Sequence, residues 1–163
     1  MPHKVTVTYS KSLLRKTTAK YIIRQLSWLY YAALVLLAFS FISSIIHGSR
    51  GWYVGVIGST LGLGLVFPLF VFIAHTRRNN FILSKMPSHK GIFIFDDDGF
   101  FVESEAGSGS VKWPLVTEIR QMKDAWLLIQ SRYMYTTLPI ENVDENVRAF
   151  ILTKVKETGG KVI

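Results

Sequence analysis

Two long apolar runs interrupt the pattern of polar and apolar positions in this chain of 163 residues. Residues 27–46 and residues 52–74 contain no lysine, arginine, aspartate or glutamate. Because a helix rises about 1.5 Å per residue, each run can span roughly 30 Å, the thickness of a hydrocarbon core. The runs predict two transmembrane helices joined as a hairpin. The alternative, two buried core helices of a soluble protein, leaves few residues to cover them.

The residues before the first run predict a strand followed by a helix. Val5, Val7 and Tyr9 alternate with polar residues, which is the period of a half-buried strand. Ser10 is then placed as the N-cap of a basic helix over residues 11–24 that leads into the first apolar run.

Six short apolar runs follow the second long one, and turn residues separate them every eight to twelve positions or so. This spacing predicts an antiparallel β-meander. The predicted strands are residues 91–95, 100–104, 110–113, 115–122, 125–131 and 134–140.

The last predicted element is a helix whose apolar face covers the sheet. Its apolar residues recur at three- and four-residue steps, namely Val147, Phe150, Ile151 and Val155. Asn142 is the expected N-cap, and Glu145 completes a capping-box pattern. The Gly159-Gly160 pair supplies the stop. The predicted segments are an N-terminal strand and basic juxtamembrane helix (1–25), a transmembrane hairpin (26–75), a linker (76–90) and a cytoplasmic domain (91–163).

Charge is distributed unevenly, which changes the meaning of the net +8. Residues 1–79 carry nine basic side chains and no acidic one, whereas the remainder has a net charge of −1. A nucleic-acid interface would place the basic residues on the folded domain, so no nucleic-acid partner is expected. The cations flank the hairpin, and the positive-inside rule then predicts that both termini are cytoplasmic.

The flanking cations could have a second role besides setting the topology, which is to contact anionic lipid. These candidate lipid-facing residues are Lys11, Arg15, Lys16, Lys20, Arg24, Arg77 and Arg78. The simpler interpretation is that they only set the orientation in the bilayer.

Small residues form a stripe along one side of the second predicted span. This glycine stripe consists of Gly51, Gly55, Gly58, Ser59 and Gly62. Small residues let helices approach closely in lipid, so the stripe packs either on the first span or on another protein or second copy. Pro68 should leave the carbonyl of Gly64 without its helical donor and bend the helix. Neither span holds a charged or histidine side chain in its interior, which disfavours ion relay.

Motifs that carry chemistry are missing from the sequence. There is no cysteine, and the four histidines lack metal-ligand spacing. The run Asp96-Asp97-Asp98 lacks the alternation of a calcium loop and predicts a solvated turn. We therefore expect no enzymatic activity, no cofactor and no metal. Trp113 and Trp126 are expected in the core.

One set of cations suggests a binding role for the domain. Lys112, Lys123 and Arg132 could line one end of the folded sheet and receive an anionic headgroup. The domain's net charge of −1 argues against strong electrostatic capture of lipid.

The order of segments carries a family resemblance. A hydrophobic hairpin with basic flanks precedes the strand–turn–strand IFIFDDDGF, the step VKWPLVTEI, a Trp-Leu-Leu-Ile strand and the segment LPIENV before a terminal helix. In this order the chain resembles the bacterial YcxB-like membrane proteins, whose soluble part is similar to a pleckstrin-homology-like split barrel. The resemblance implies a small antiparallel β-barrel of six or seven strands closed by the C-terminal helix. We expect residues 5–9, on the same side of the membrane, to supply an additional strand. The resemblance also implies the bacterial inner membrane but no activity and no functional residues.

Two functional hypotheses follow. The first is a membrane-anchored, non-enzymatic adaptor whose cytoplasmic domain recognises a protein or a lipid at the inner leaflet. The second is a membrane immunity or regulatory protein that acts through its hairpin, with a homo-oligomer as one form of that association. The expected partners are therefore the lipid bilayer and a protein.

Overall fold

The computed structural model describes residues 2–131 and 134–163. In chain order its helices and strands are β1 (His3–Thr8), α1 (Lys11–Gln25), α2 (Trp28–Ile46), α3 (Trp52–Ser84), β2 (Lys90–Phe95), β3 (Gly99–Ser104), β4 (Gly107–Lys112), a 3₁₀ helix (Trp113–Leu115), β5 (Glu118–Gln121), β6 (Ala125–Ser131), β7 (Met134–Pro139), α4 (Glu145–Glu157) and β8 (Lys161–Val162). The strands form two four-stranded sheets, so the fold is α+β with two long apolar helices. The chain divides into a helical unit, Thr18–Arg77, and a β unit that combines residues 2–17 with Arg78–Ile163.

Two helices, α2 and α3, are long and apolar enough to cross a membrane. No residue in the most apolar stretch of either helix is buried within the protein, which distinguishes them from the core helices of a soluble domain. Ser27 begins α2 as its N-cap and accepts a hydrogen bond from the Leu29 N–H at 3.3 Å.

Helix α3 is longer than the apolar run that predicts it. It continues through Arg77 and Arg78 to Ser84, so much of the predicted linker over 76–90 is helical. No glycine or proline occurs between Pro68 and Pro87, and the helix therefore meets no strong breaker until that second proline. Leu83 lies buried near its end.

The first sheet has the order β1-β2-β3-β4 and is antiparallel throughout. β1 pairs with β2 from His3↔Phe95 to Thr8↔Lys90, which confirms the predicted N-terminal strand and its place in the sheet. The β3–β4 turn differs from its prediction. Ser104 pairs with Gly107, so β4 begins at Gly107 and not at residue 110, because a two-residue turn is enough to reverse the chain.

The second sheet has the order β7-β6-β5-β8. The predicted strand over 115–122 is shorter, because Pro114 lies in a 3₁₀ turn and only Glu118–Gln121 pairs with β6. Sequence patterns did not predict β8, which runs parallel to β5.

Helix α4 covers the core with Val147, Ile151 and Val155, as predicted. Its N-cap is Asp144 and not Asn142, so the predicted start is wrong. Residues before it form a turn in which the Val143 N–H donates to the Ile140 carbonyl at 3.2 Å, and burial of Val143 delays the helix.

Aromatic residues fill the centre of the β unit. Trp113 is 1% exposed and Trp126 5% exposed, which confirms both as core residues. Trp113 stacks on Phe95 with ring centroids 6.3 Å apart, and its Nε1–H donates to the Asp96 carbonyl at 2.8 Å. This bond satisfies the indole within the core and holds the β2–β3 turn.

Candidate functional site

A cavity of about 570 Å³ opens within the β unit. It lies where the end of β1, the first turn of α1, the β5–β6 turn and the segment from β7 into α4 meet. We call this the basic cavity; its lining residues are Thr8, Ser10, Ser12, Leu13, Lys16, Lys123, Asp124, Pro139, Ile140, Glu141 and Arg148. Its size is in the range of small-molecule sites, which is roughly 300–1,000 Å³.

Arg148 lies in the first turns of α4 and is half-buried. Its Nη2 donates to the Ile140 carbonyl at 2.6 Å, which fixes the guanidinium against the loop before the helix. Its Nε–H is buried and has no acceptor among the described residues. Buried guanidinium N–H groups normally donate to an acceptor. The Arg148 Nε–H is therefore available to donate to an acceptor on a ligand.

The charges of the basic cavity are not neutralised by one another. Lys16, Lys123 and Arg148 outnumber the carboxylates of Asp124 and Glu141. Within residues 2–131 and 134–163, none of these five groups forms an ion pair. The ion pairs that do form join Arg120 to Glu118, and Lys154 to Asp97 and Glu157. The cavity therefore presents a net positive charge to a ligand.

Hydroxyl groups at the start of α1 add polar contacts to the basic cavity. The Ser10 side chain accepts from the Leu13 N–H at 3.1 Å, which confirms the predicted N-cap. Ser10 and Ser12 hydroxyls lie 3.0 Å apart, and both are exposed. A hydroxyl can donate one hydrogen bond while accepting others, so this pair can also contact an anion.

Tyr9 fixes the wall that carries these hydroxyls. Its hydroxyl donates to the Thr137 carbonyl at 3.2 Å and so ties the chain after β1 to β7. Burial raises the pKa of Tyr9 above its ordinary value, so the hydroxyl remains a neutral donor across the physiological range. Thr8 and Ser10 on either side of it are thereby placed in the cavity wall.

The arrangement is suited to binding. No cluster of three histidine, aspartate or glutamate side chains able to hold a metal occurs in the described residues. The basic cavity instead combines three cations and several hydroxyls, a set that recognises an anionic group by charge-assisted hydrogen bonds.

The structure brings few of the predicted basic residues to this cavity. Of the seven cations flanking the apolar runs, Lys16 alone lines it, and all seven are exposed. Of the three cations suggested for one end of the folded sheet, Lys123 lines the cavity and Lys112 does not. Arg132 lies outside the described residues.

Sequence reasoning missed Arg148. The available signal was its position on α4, three and seven residues before Ile151 and Val155, which places it beside the apolar face. A cation beside the apolar face becomes half-buried when that face packs against the core. Its partner could not be foreseen, because the Ile140 carbonyl becomes available only through the turn that precedes α4.

The residues of the glycine stripe have different surroundings in the structure. A Cβ at Gly58 would lie 2.7 Å from Cε2 of Phe41, so this residue packs on α2. Gly55 and Gly62 have open space at the same position, and Ser59 is exposed. Gly51 lies just before α3, and a Cβ there would be 2.6 Å from Cε1 of Tyr53.

The family model of the YcxB-like protein family matches residues 95–152, from the end of β2 into α4. The match confirms the YcxB-like resemblance for this segment, which includes the basic cavity's residues from Lys123 to Arg148 but not those of β1 and α1. No curated protein and no solved structure matches the chain.

Proposed function

We propose that the chain is a membrane-anchored, non-enzymatic binding module. Helices α2 and α3 form the anchor in the bacterial inner membrane, and the β unit recognises a lipid or protein group at the inner leaflet. The observation that carries the proposal is the basic cavity, where Lys16, Lys123 and Arg148 have no ion-pair partner in the described parts of the chain.

The β unit's architecture supports a pleckstrin-homology-like split barrel. Two four-stranded sheets share one core with a C-terminal helix, and the Tyr9–Thr137 hydrogen bond joins the end of β1 to β7. Small barrels commonly act by surface recognition, although function does not follow from fold alone.

The charge distribution supports a cytoplasmic β unit. Nine cations and no carboxylate occur in residues 1–79, and the loop between the two apolar helices holds one of them, Arg50. Both termini are then cytoplasmic by the positive-inside rule.

Site-specific photo-crosslinking in native membranes tests the proposal. A photoreactive residue at Ser12 or Glu141 lies in the wall of the basic cavity, whereas one at Thr153 is exposed on α4 outside it. We expect a lipid or protein adduct of defined mass from the two cavity positions and none of that mass from Thr153. Identical adducts from all three positions, or no adduct, would refute a binding role for this cavity.

A second candidate function uses the hairpin, as in an immunity or regulatory protein. The open space at Gly55 and Gly62 favours it, because a side chain at either position would meet no other atom within 4 Å, which leaves room for another helix to pack there. Changing both to leucine should abolish in-membrane crosslinking to a partner or second copy while insertion is retained. Val56→Leu, at an exposed position of the same helix, is the control. Unchanged crosslinking in the double variant contradicts this candidate.

A further inference from the structure

Three cations distant in sequence converge on the basic cavity. Lys16 comes from α1, Lys123 from the β5–β6 turn and Arg148 from α4. Folding brings like charges together here at an electrostatic cost, and within the described chain no carboxylate pairs with any of them. An anionic ligand would offset that cost.

We infer that the basic cavity binds a phosphate group carried on a small hydroxylated or amine-bearing moiety. This inference rests on the proposed binding function and specifies its ligand. The phosphate oxygens accept from the three cations and from whichever hydroxyl of the Ser10–Ser12 pair does not donate to the other, since phosphate offers several acceptor oxygens directed to different sides.

The carboxylates explain why the ligand is more than phosphate. Asp124 and Glu141 line the same cavity, and they would repel an anion placed against them. They can instead accept hydrogen bonds from a hydroxyl or ammonium group beside the phosphate. The volume of about 570 Å³ also exceeds what a single phosphate ion fills.

A phospholipid headgroup and a soluble phosphate ester share this chemistry, so the test includes both. The protein is the full chain in neutral detergent. Soluble glycerol phosphate and inorganic phosphate are titrated by calorimetry, and phosphatidylglycerol and phosphatidylcholine are compared by native mass spectrometry.

Two double variants that lose the same charge distinguish binding in the basic cavity from non-specific electrostatic attraction of the anion to the protein. K16Q/K123Q removes two lining cations, and K11Q/K156Q removes two exposed cations that do not line the basic cavity. We expect binding to weaken at least about tenfold in the first variant and less than about twofold in the second, because charged hydrogen bonds are lost only in the first. Thermal melting checks that both variants fold.

Each outcome decides the inference. Binding of glycerol phosphate that the lining variant alone loses assigns a soluble ester, and the same pattern with phosphatidylglycerol alone assigns a headgroup. Equal weakening of binding in both double variants would overturn the inference. So would a failure of the wild-type chain to bind either glycerol phosphate or phosphatidylglycerol. If photo-crosslinking at Ser12 and Glu141 still captures a cavity ligand that lacks phosphate, the proposed function survives without this inference.

Discussion

The hydroxyl of Tyr30 on α2 donates a hydrogen bond to the carbonyl of Gly64 on α3. This is the carbonyl that Pro68, four residues later in α3, leaves without its helical N–H donor. A side chain of the neighbouring helix therefore supplies the donor that the proline removes. Leu34 packs beside the same glycine, where a Cβ would lie 2.8 Å from its Cδ2. The backbone carbonyl freed by Pro68 is thus part of the contact between α2 and α3.

We predict that Tyr30→Phe lowers the stability of the hairpin by about 0.5–1.5 kcal/mol, the usual range for one hydrogen bond between helices in a membrane. In a Pro68→Ala background the new N–H can donate to Gly64, so the same substitution should have almost no effect. Forced unfolding of the full chain in bicelles measures both differences, and together they form a double-mutant cycle.

Tyr53→Phe is the control for Tyr30→Phe, because no hydrogen bond of the Tyr53 hydroxyl occurs in the described structure. An equal cost of Tyr30→Phe with and without Pro68 would show that the tyrosine does not compensate for the proline.

Patterns that depend on neighbours in sequence predicted much of this fold. The alternation of Val5 and Val7 placed β1, and the spacing of Val147, Ile151 and Val155 placed the buried face of α4. Local propensity also placed Ser10 as an N-cap. Each of these features depends on the residues of a single helix or strand and on which of its faces is buried. They can therefore be predicted from the local sequence.

Features that depend on contacts between distant segments escaped prediction. Strand β8 has two residues and exists because it pairs with β5, and no period is visible over so short a segment. The basic cavity likewise needs Lys16, Lys123 and Arg148 to be brought together from three elements. Individual cations are visible in a sequence, but their convergence is a property of the tertiary structure.

Gly99 and Gly109 offer a matched pair of substitutions on the β3–β4 ladder. A Cβ at Gly99 would lie 2.2 Å from the Val111 carbonyl oxygen, whereas nothing lies within 4 Å of one at Gly109. Gly99→Ala should therefore destabilise the β unit by about 1–3 kcal/mol, because backbone must move. Gly109→Ala should change stability by less than about 0.5 kcal/mol.

Urea unfolding of the full chain in neutral detergent, followed by tryptophan fluorescence, measures the stability of the two glycine variants, because Trp113 and Trp126 are buried in the β unit. Similar midpoints for both would be incompatible with the close approach of β4 to Gly99.

Tyr9→Phe tests the tie between β1 and β7. Loss of the hydrogen bond to the Thr137 carbonyl should cost about 1 kcal/mol at neutral pH. Burial raises the pKa of Tyr9, so its contribution is fully present below the unfolded-state pKa of about 10 and is lost as pH rises through the folded value. The difference between wild type and variant should therefore shrink above about pH 10. A difference that stays constant through alkaline pH would contradict burial of this hydroxyl.

Asp97 and Lys154 link the β2–β3 turn to α4 at 2.9 Å. The hydrogen bond and positive charge of Lys154 lower the pKa of Asp97, and the hydrogen bond with Asp97 raises the pKa of Lys154. The aspartate's contribution is present above its unfolded-state pKa of about 3.9 and disappears as pH falls through the lower folded value. The lysine's contribution is present below about pH 10.4 and is lost as pH rises through its raised folded value.

We therefore expect Asp97→Asn to lower the melting temperature of the full chain slightly at neutral pH and low salt. The difference should vanish as pH falls below the lowered pKa of Asp97, where the wild-type carboxylate is protonated as well. It should also shrink at high salt, because the Asp97 side chain is 79% exposed and the pair is screened. Asp98→Asn is the matched control, since no ion pair of Asp98 occurs among the described residues. If both variants melt alike at every pH, the Asp97–Lys154 pair does not hold the turn against α4.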